Sequence, residues 1–344
     1  MTSALELLRG AVRAVAVDPP GSLAWFGQRI DELPDDVMET MTAETACEYL
    51  RYRLQWQLYE SFYCRGFATP RLGSDDGPLR AKSSLVELLS AANGGSGPFE
   101  PGWQVEGREG DRVIVARDGL RLWLRPTELT ARPGGRIDVE SPVSVRFPKE
   151  LRKLLPGYYM ALGDCALPER GEAIVRFYWN LTPEGGPHFV HALTARLNRA
   201  KLAFRLKVVD HERAFNRCDA GVLYARTVDY GEVAARLPLV HGELARWLKP
   251  ATPALTKRLA PGLGLAEEPG TGQSFGEHRC ALIAEGLVRA TEAGAVSVED
   301  RLATVVSAFT EAGIRVEEPF VNPGSRDNYE WPGAGNGAHA SLRR

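Results

Sequence analysis

Cationic and polar side chains recur at alternate positions in two apolar segments of the chain. Arg176, Tyr178 and Asn180 alternate with apolar residues in GEAIVRFYWNL, and Arg205 and Lys207 do so in LAFRLKVVD. Because side chains of a β-strand point alternately to opposite faces, each strand has one apolar face and one face of cations with hydroxyl or amide groups. If the two strands are neighbours, the second faces form a floor suited to an anion.

The same pattern has a second interpretation that involves no chemistry. The stems of lysine and arginine can lie along a sheet while their charged ends stay in water. Arg217 and Arg226, which follow in NRCDAGVLYAR, add cations in either case. Periodicity alone therefore leaves a solvated face and an anion site as alternatives.

Periodicity and turn residues predict the elements that position these side chains. Strands are predicted at residues 171–181, 202–210 and 220–226, and helices at 186–201, 229–247 and 274–294. Asp229 and Glu232 predict the cap of the second helix, and Pro238 predicts a kink or break inside it. The fold class that follows is α+β, with mixed or antiparallel sheets flanked by helices.

The first half of the chain is less regular. A capping box of Thr45 and Glu48 predicts an amphipathic helix that ends at Gly66. A loop is predicted at 91–102 and a three-stranded antiparallel meander at 103–128. The predicted division is a helical N-terminal region with a small β-meander (1–150), an α+β core (151–316) and an extended or disordered tail (317–344).

Composition excludes several classes of function. The chain has 344 residues, with 42 basic and 44 acidic residues and a net charge of −2, so no global field favours nucleic acid or a membrane as partner. The five cysteines are widely spaced and the six histidines form no zinc motif, which argues against a metal or a disulfide framework. No cofactor motif, signal peptide or transmembrane segment is recognisable, and a cytoplasmic location is expected.

Six blocks resemble the Hop-A type III effector family and its relatives in the actinobacterial biosynthesis of lanthipeptides and thioamidated peptides. They are GYYMALGD, VRFYWNL, FRLKVVD, NRCDAGVLY, GLGLAEEP and SFGEHRCALIAEGL. The resemblance implies a lyase that removes phosphate from phosphorylated Ser or Thr of a precursor peptide, beside a partner kinase of aminoglycoside-kinase-like type. More distantly, the C-terminal half is similar to the phosphothreonine lyase effectors of enteric pathogens.

The resemblance also implies roles for individual residues. Lys207 matches a strand lysine of the enteric lyases and would be the base. Arg176 and Tyr178 stand where those lyases have a Lys-x-His pair. Arg279 and Arg217 match phosphate-binding arginines, and with Arg176 and Arg205 they are expected to bind the phosphate. Tyr178 therefore occupies the position of the expected acid histidine.

Phosphate elimination explains why such residue types are suitable. A lysine acts as a base only when neutral, which requires burial and neighbouring cations such as Arg205 to lower its pKa by about 3 units from roughly 10.4. Tyr178 is expected to protonate a phosphate oxygen, although a hydroxyl bonded to backbone is an equal alternative. Asn180 is expected to polarise the substrate carbonyl, and His211 and His278 are the alternative acids.

A function from another class fits the same residues. An effector-like module could present the basic face to a phosphorylated protein or peptide without turning it over. Lys207 favours the enzyme, because any cation at that position would serve pure phosphate binding equally well.

Overall fold

The computed structural model describes residues 2–18, 22–30, 34, 37, 40–66, 83–132, 134–167 and 171–335. Its helices are α1 (Ala4–Ala14), α2 (Ala43–Gln57), α3 (Ser83–Ala92), α4 (Gly185–Arg199), α5 (Tyr230–Ala234), α6 (Leu237–Leu244), α7 (Phe275–Glu292) and α8 (Val298–Glu311). Its strands are β1 (Val15–Asp18), β2 (Ser22–Trp25), β3 (Gln28–Arg29), β4 (Phe99–Glu109), β5 (Arg112–Arg117), β6 (Leu120–Leu124), β7 (Leu129–Ala131), β8 (Pro142–Arg146), β9 (Glu150–Leu151), β10 (Tyr158–Leu162), β11 (Ile174–Trp179), β12 (Phe204–Val209), β13 (Gly221–Arg226), β14 (Lys257–Ala260) and β15 (Leu263–Glu267).

A seven-stranded antiparallel sheet forms the centre of the molecule. Its strand order is β14-β15-β11-β13-β12-β10-β9. Each of its six neighbouring pairs is antiparallel. The predicted α+β class, with antiparallel sheets flanked by helices, is confirmed.

The two cation-bearing strands are not direct neighbours, because β13 lies between them. The register places Tyr224 opposite both Arg176 of β11 and Arg205 of β12. Val222 lies opposite Lys207 in the same way. Residues opposite each other in an antiparallel pair point to the same face. The cations therefore share one face, but that face is one strand wider than direct pairing would make it.

Different helices cover the two faces of this sheet. On the apolar face, the ring of Trp179 packs 5.6 Å from that of Phe189 in α4. On the opposite face, the ring of Tyr178 lies 6.4 Å from Phe275 of α7 and 6.4 Å from Tyr63. The cation-bearing face is thus partly roofed by α7 and by the segment that follows α2.

Helix α2 differs from its prediction at both ends. Its cap is Thr42, whose side chain accepts a hydrogen bond from the backbone N–H of Thr45, so the predicted cap at Thr45 is wrong. The chain then continues as a π-helix over Leu58–Tyr63 instead of a regular helix to Gly66. The wider turn changes which side chains face the sheet.

Two other local predictions have mixed outcomes. Asp229 is the N-cap residue of α5, as predicted, but its carboxylate binds the Arg226 guanidinium at 2.6 Å and makes no capping hydrogen bond. The break at Pro238 is confirmed, since α5 ends at Ala234 and Pro238 lies in the first turn of α6. The predicted loop at 91–102 ends earlier, because β4 begins at Phe99.

Residues on both sides of the predicted boundary at residue 150 share one hydrophobic core. Leu8 of α1, Leu50 of α2 and Leu89 of α3 belong to the same buried cluster as Phe177 and Leu223 of the central sheet. The N-terminal helices therefore depend on the sheet for burial of their apolar faces.

The predicted meander is present as β4, β5 and β6. It is part of a five-stranded antiparallel sheet of order β6-β5-β4-β8-β7. This sheet buries a separate small core that includes Trp103, Val113 and Val143.

Part of the predicted tail is packed against the core. Phe320 and Tyr329 are buried, and a short 3-10 helix covers Pro332–Gly335. Residues 336–344 lie outside the described residues.

Gly276 permits the close approach of α7 to the π-helix, and its substitution tests that packing. A Cβ at Gly276 would lie 2.4 Å from the buried ring of Tyr63, which has no room to move. We expect Gly276→Ala to lower the free energy of unfolding by about 1–3 kcal/mol in urea denaturation. Gly242→Ala is the matched control, because nothing lies within 4 Å of that helical position. It should raise stability by up to about 1 kcal/mol, and equal effects of the two changes would contradict this packing.

Candidate functional site

Lys207 lies on β12 opposite Met160 of β10. Its Nζ is 3.8 Å from the centroid of the Tyr158 ring, two residues before Met160 and on the same face. A cation over an aromatic face is attracted by the ring quadrupole. Within the described ranges, Lys207 has neither a hydrogen bond nor an ion pair within 4 Å.

Arg176, Tyr224 and Arg205 form a row across three strands. The Cζ atoms of Arg176 and Arg205 lie 4.9 Å and 5.4 Å from the centroid of the Tyr224 ring. One aromatic ring thus lies between two guanidinium groups and stabilises both. Arg205 is half-buried and, like Lys207, has no ion-pair partner among the residues that the structure describes.

Arg176 is already paired with a carboxylate. Its Nε and Nη2 bind the two oxygens of Glu268 at 2.8 Å and 2.6 Å. Arg176 is only 7 % exposed, and a buried charge needs such a partner. The pair links β11 to the segment that follows β15.

Arg217 is held in place by four contacts. It forms a bidentate pair with Asp219, with an Nη2–Oδ2 distance of 2.8 Å. Nη2 also donates to the Tyr59 hydroxyl at 2.9 Å and to Cys64 Sγ at 3.1 Å. The Arg217 Cζ lies 5.9 Å from the Tyr158 ring, which places it near Lys207.

Asp219 is a buried carboxylate beside the cations of this face. Burial acts to raise the pKa of Asp219, but the charge and hydrogen bonds of Arg217 lower it below its usual value, with a smaller contribution from Lys207. Arg217 is therefore neutralised by a resident carboxylate, as Arg176 is.

We define the cationic cluster as the charged residues of this face with two tyrosine rings: Arg176, Arg205, Lys207, Arg217, Asp219, Glu268, Tyr158 and Tyr224. Its four cations and two carboxylates leave a net charge of +2. Since Glu268 and Asp219 neutralise their own arginines, this excess belongs to Arg205 and Lys207. A dianion is the complementary ligand.

Tyr178 and Asn180 lie on the same strand face but deeper. Tyr178 is 2 % exposed, and burial raises its pKa. The Asn180 side chain is buried and donates to the carbonyl oxygen of Ala251 at 3.0 Å. Both side chains are thus enclosed by protein in this structure.

Arg279 lies on α7, and the hydrogen bonds of its guanidinium go to residues outside the cationic cluster. It is 0 % exposed, and its Nε and Nη2 donate to the carbonyl oxygens of Pro319 and Val321 at 2.7 Å and 3.0 Å. Burial lowers its pKa to about 10. In this conformation Arg279 holds the segment that follows α8 against α7.

The two histidines considered as acids have local partners. His278 Nδ1 lies 2.8 Å from Arg279 Nη1, and burial and the charge of Arg279 lower the pKa of His278. His211 Nδ1 accepts from the backbone N–H of Arg213 at 3.2 Å. Neither ring forms a hydrogen bond or ion pair with the cationic cluster in the described part of the chain.

Several residues of the site were not singled out from the sequence. Tyr158, Asp219 and Tyr224 lie within quoted blocks, and the two-residue separation of Arg217 and Asp219 was a readable signal for an ion pair in the turn before β13. Tyr59 had no such signal, because its contact with Arg217 depends on the π-helix. π-helical turns are rare and concentrate at functional sites.

Over the described ranges, no group of three or more His, Cys, Asp or Glu side chains could hold a metal ion. None of the helices there combines the length and apolar character needed to cross a membrane. All five cysteines are free thiols.

Comparison with known proteins assigns the chain to a family. Residues 150–321 match the HopA1 effector protein family, and the chain belongs to that family. This segment contains every residue of the cationic cluster.

Two similar solved structures are effector proteins of Pseudomonas syringae. That of pv. tomato strain DC3000 is 12% identical, with a TM-score of 0.45 and coverage of 81% of this chain and 96% of that one. That of pv. syringae strain 61 is 13% identical, with a TM-score of 0.46 and coverage of 93% and 97%. No curated protein matches the chain.

The buried pair of Arg217 and Asp219 predicts an acid-dependent loss of stability. Since the folded-state pKa of Asp219 lies below its unfolded value of about 3.9, the stability that it contributes is present above about pH 4 and is lost as pH falls through the folded pKa. Asp219→Asn should lower the free energy of unfolding at pH 7 by about 3–5 kcal/mol, because Arg217 would be left unpaired, and should flatten the acid limb.

The measurement is urea denaturation between pH 3 and pH 7. Glu299→Gln is the control, since it removes an exposed partner of Arg9 and should cost less than about 1 kcal/mol. Similar losses for the two variants would show that the Asp219 pair is not special.

Proposed function

We propose that the chain is a lyase that eliminates phosphate from phosphoserine or phosphothreonine of a ribosomal precursor peptide, leaving dehydroalanine or dehydrobutyrine. The observation that carries the proposal is the pair of uncompensated cations, Arg205 and Lys207, on one face of β12. A phosphomonoester carries a charge of about −1.5 to −2 at neutral pH, which the net charge of the cationic cluster complements. Family membership and the resemblance described above support the same reaction.

Lys207 is assigned the role of base. Its unprotonated Nζ takes the Cα proton, and the electron pair of the Cα–H bond becomes the Cα=Cβ double bond. The Cβ–O bond breaks, and phosphate leaves with the electron pair of that bond. The other cations of the cluster are arginines, whose guanidinium groups do not lose a proton in proteins, so lysine is the member suited to this step.

Arg205 and Arg217 are assigned to the phosphate. Arg205 has no carboxylate partner among the described residues, and its planar fork can donate two parallel bonds to phosphate oxygens. Arg217 is fixed by Asp219, and its Nη1 makes no hydrogen bond to the described residues. Such fixed donors stabilise the charge that develops on the leaving phosphate.

The remaining predicted residues receive supporting roles. Arg176 is bound by Glu268 and holds the Tyr224 ring in place. Arg279 and Asn180 donate to backbone carbonyls, so we assign both to positioning segments around the site and not to the substrate.

Tyr158 is the better candidate for the acid that protonates the leaving phosphate. It is half-buried and lies between Lys207 and Arg217, whereas Tyr178 is enclosed. Burial raises the pKa of Tyr158, and the charge of Arg217 acts in the opposite direction. The hydroxyl therefore stays protonated at neutral pH, and its place near Lys207 and Arg217 makes it the candidate donor.

A non-catalytic module that binds a phosphorylated protein or peptide is the second candidate. The contact between Lys207 and the Tyr158 ring favours it, because a cation–π contact stabilises the ammonium form and a base must be neutral.

The partners and location in the proposal come from the resemblance and the sequence. The substrate would be a phosphorylated precursor peptide supplied by a kinase of aminoglycoside-kinase-like type. The reaction would take place in the cytoplasm, without a cofactor.

Two variants of β12 separate chemistry from binding. Lys207→Ala should abolish elimination while phosphopeptide affinity stays within about tenfold, or about 1.4 kcal/mol. Arg205→Gln should weaken phosphopeptide binding about 10- to 150-fold, because it removes charge-assisted bonds worth about 1.5–3 kcal/mol. Mass spectrometry of a phosphopeptide in EDTA detects the loss of phosphoric acid, and calorimetry measures affinity.

Lys153→Ala, at an exposed lysine, is the control and should match wild type. Normal turnover by Lys207→Ala would sink the assignment of the base. Phosphate-dependent binding by wild type without elimination would establish the binding module instead.

A pair of tyrosine variants tests the acid. Tyr158→Phe keeps the ring beneath Lys207 but removes the hydroxyl, so we expect kcat to fall about 10²- to 10⁴-fold with little change in binding. Tyr178→Phe should leave kcat nearly unchanged. The reverse ranking of the two variants would assign the acid to Tyr178.

A further inference from the structure

We infer that a groove beside the cationic cluster binds an apolar or aromatic side chain of the phosphopeptide, within a few residues of the phosphorylated position. This aromatic groove, of about 280 Å³, is lined by Tyr52, Gln55, Trp56, Tyr59, Gln273 and Glu277. The inference rests on the proposed function and adds a sequence preference to it.

The walls of the aromatic groove come from two helices. Tyr52, Gln55, Trp56 and Tyr59 are spaced i, i+3, i+4 and i+7, so they lie on one face along α2 and its π-helical end. The opposite wall is the first turn of α7. The Gln55 side chain donates to the backbone carbonyl oxygen of Glu277 at 3.2 Å and joins the two walls.

Two large aromatic side chains of the groove are exposed to solvent. Tyr52 is 64 % exposed and Trp56 is 49 % exposed. The rings of Trp56 and Tyr59 stack at 6.0 Å, and those of Tyr59 and Tyr63 at 5.5 Å. The three stacked rings thus extend from the exposed Trp56 to the buried Tyr63, which packs against the central sheet. Exposed aromatic surface of this kind is typical of a binding site.

Tyr59 makes the groove continuous with the cationic cluster. Its hydroxyl accepts a hydrogen bond from Arg217 Nη2 at 2.9 Å, and its ring lies 5.7 Å from Arg217 Cζ. That Cζ lies 5.9 Å from the Tyr158 ring, which is 3.8 Å from Lys207 Nζ. The Tyr59 ring is therefore at most about 15 Å from Lys207 Nζ. An extended peptide covers that distance in about four or five residues, at roughly 3.3 Å each.

Charge decides which part of the peptide each site takes. The phosphate is complementary to the net charge of +2 in the cationic cluster. No lysine or arginine lines the groove, and Glu277, its carboxylate, accepts the backbone N–H of Ser274. A second phosphate or an acidic residue would meet repulsion there, whereas an uncharged apolar or aromatic side chain would bury surface against Trp56 and Tyr52.

The experiment scans a phosphothreonine peptide of Gly and Ser, with a single Phe placed at each of six positions on either side. Affinity is measured by calorimetry in the Lys207→Ala background, so that turnover does not consume the peptide. We expect a gain of about tenfold for Phe at a position within five residues of the phosphothreonine. In otherwise wild-type protein, the same peptide should show a matching gain in kcat/KM.

Trp56→Ala and Tyr52→Ser should each remove most of this gain. Trp123→Ala is the matched control, because Trp123 is 50 % exposed but lies on the five-stranded sheet, and it should leave the gain intact. If Phe raises peptide affinity but wild type eliminates no phosphate, the groove is supported as a binding site and the proposed lyase activity is refuted.

Elimination without a positional preference, or a gain that survives Trp56→Ala, would overturn the groove. A second copy of the chain is the other possible occupant of the groove, and analytical ultracentrifugation tests for it by measuring the oligomeric state. A dimer that dissociates in Trp56→Ala, with no effect of Phe on peptide affinity, would also overturn the inference.

Discussion

Placing four cations on one face of a partly covered sheet is the constraint on which the rest of the site depends. Charges shielded from water are costly unless they are paired. The chain meets this cost in two ways: carboxylates neutralise Arg176 and Arg217, and tyrosine rings lie against the cations. Tyr224 lies between Arg176 and Arg205, so one ring stabilises two groups. Without these contacts the four cations would repel one another.

This arrangement divides the cations by role. The paired arginines tie the sheet to other elements, since Arg176 reaches the segment after β15 and Arg217 reaches Tyr59 and Cys64 at the π-helix. The unpaired Arg205 and Lys207 retain a charge that a ligand can neutralise. Arginines that stabilise the fold therefore lie beside cations that are available to a ligand. The difference between them is that only the former are paired with a carboxylate, Glu268 or Asp219.

Local sequence was sufficient for the strand faces and for the break at Pro238, because nearest neighbours in sequence decide those features. It did not reveal that β13 separates the two cation-bearing strands, since pairing order depends on contacts between distant segments. Nor could it separate Arg279, which donates to backbone carbonyls, from Arg205, which has no such partner. The sequence alone does not show which hydrogen-bond acceptor an arginine will have in the folded protein.

The site also joins two parts of the chain that differ in their relation to the family. The cationic cluster lies wholly within the matched residues 150–321, whereas Tyr59, Cys64 and one wall of the aromatic groove come from residues 43–66. Gly276 allows α7 to approach the π-helix closely enough for these parts to meet. In the proposed lyase, the matched segment would supply the charges that bind the phosphate. The N-terminal helix would supply aromatic surface for a neighbouring residue of the peptide, so changes in α2 would alter which peptide is selected without altering the charges at Lys207.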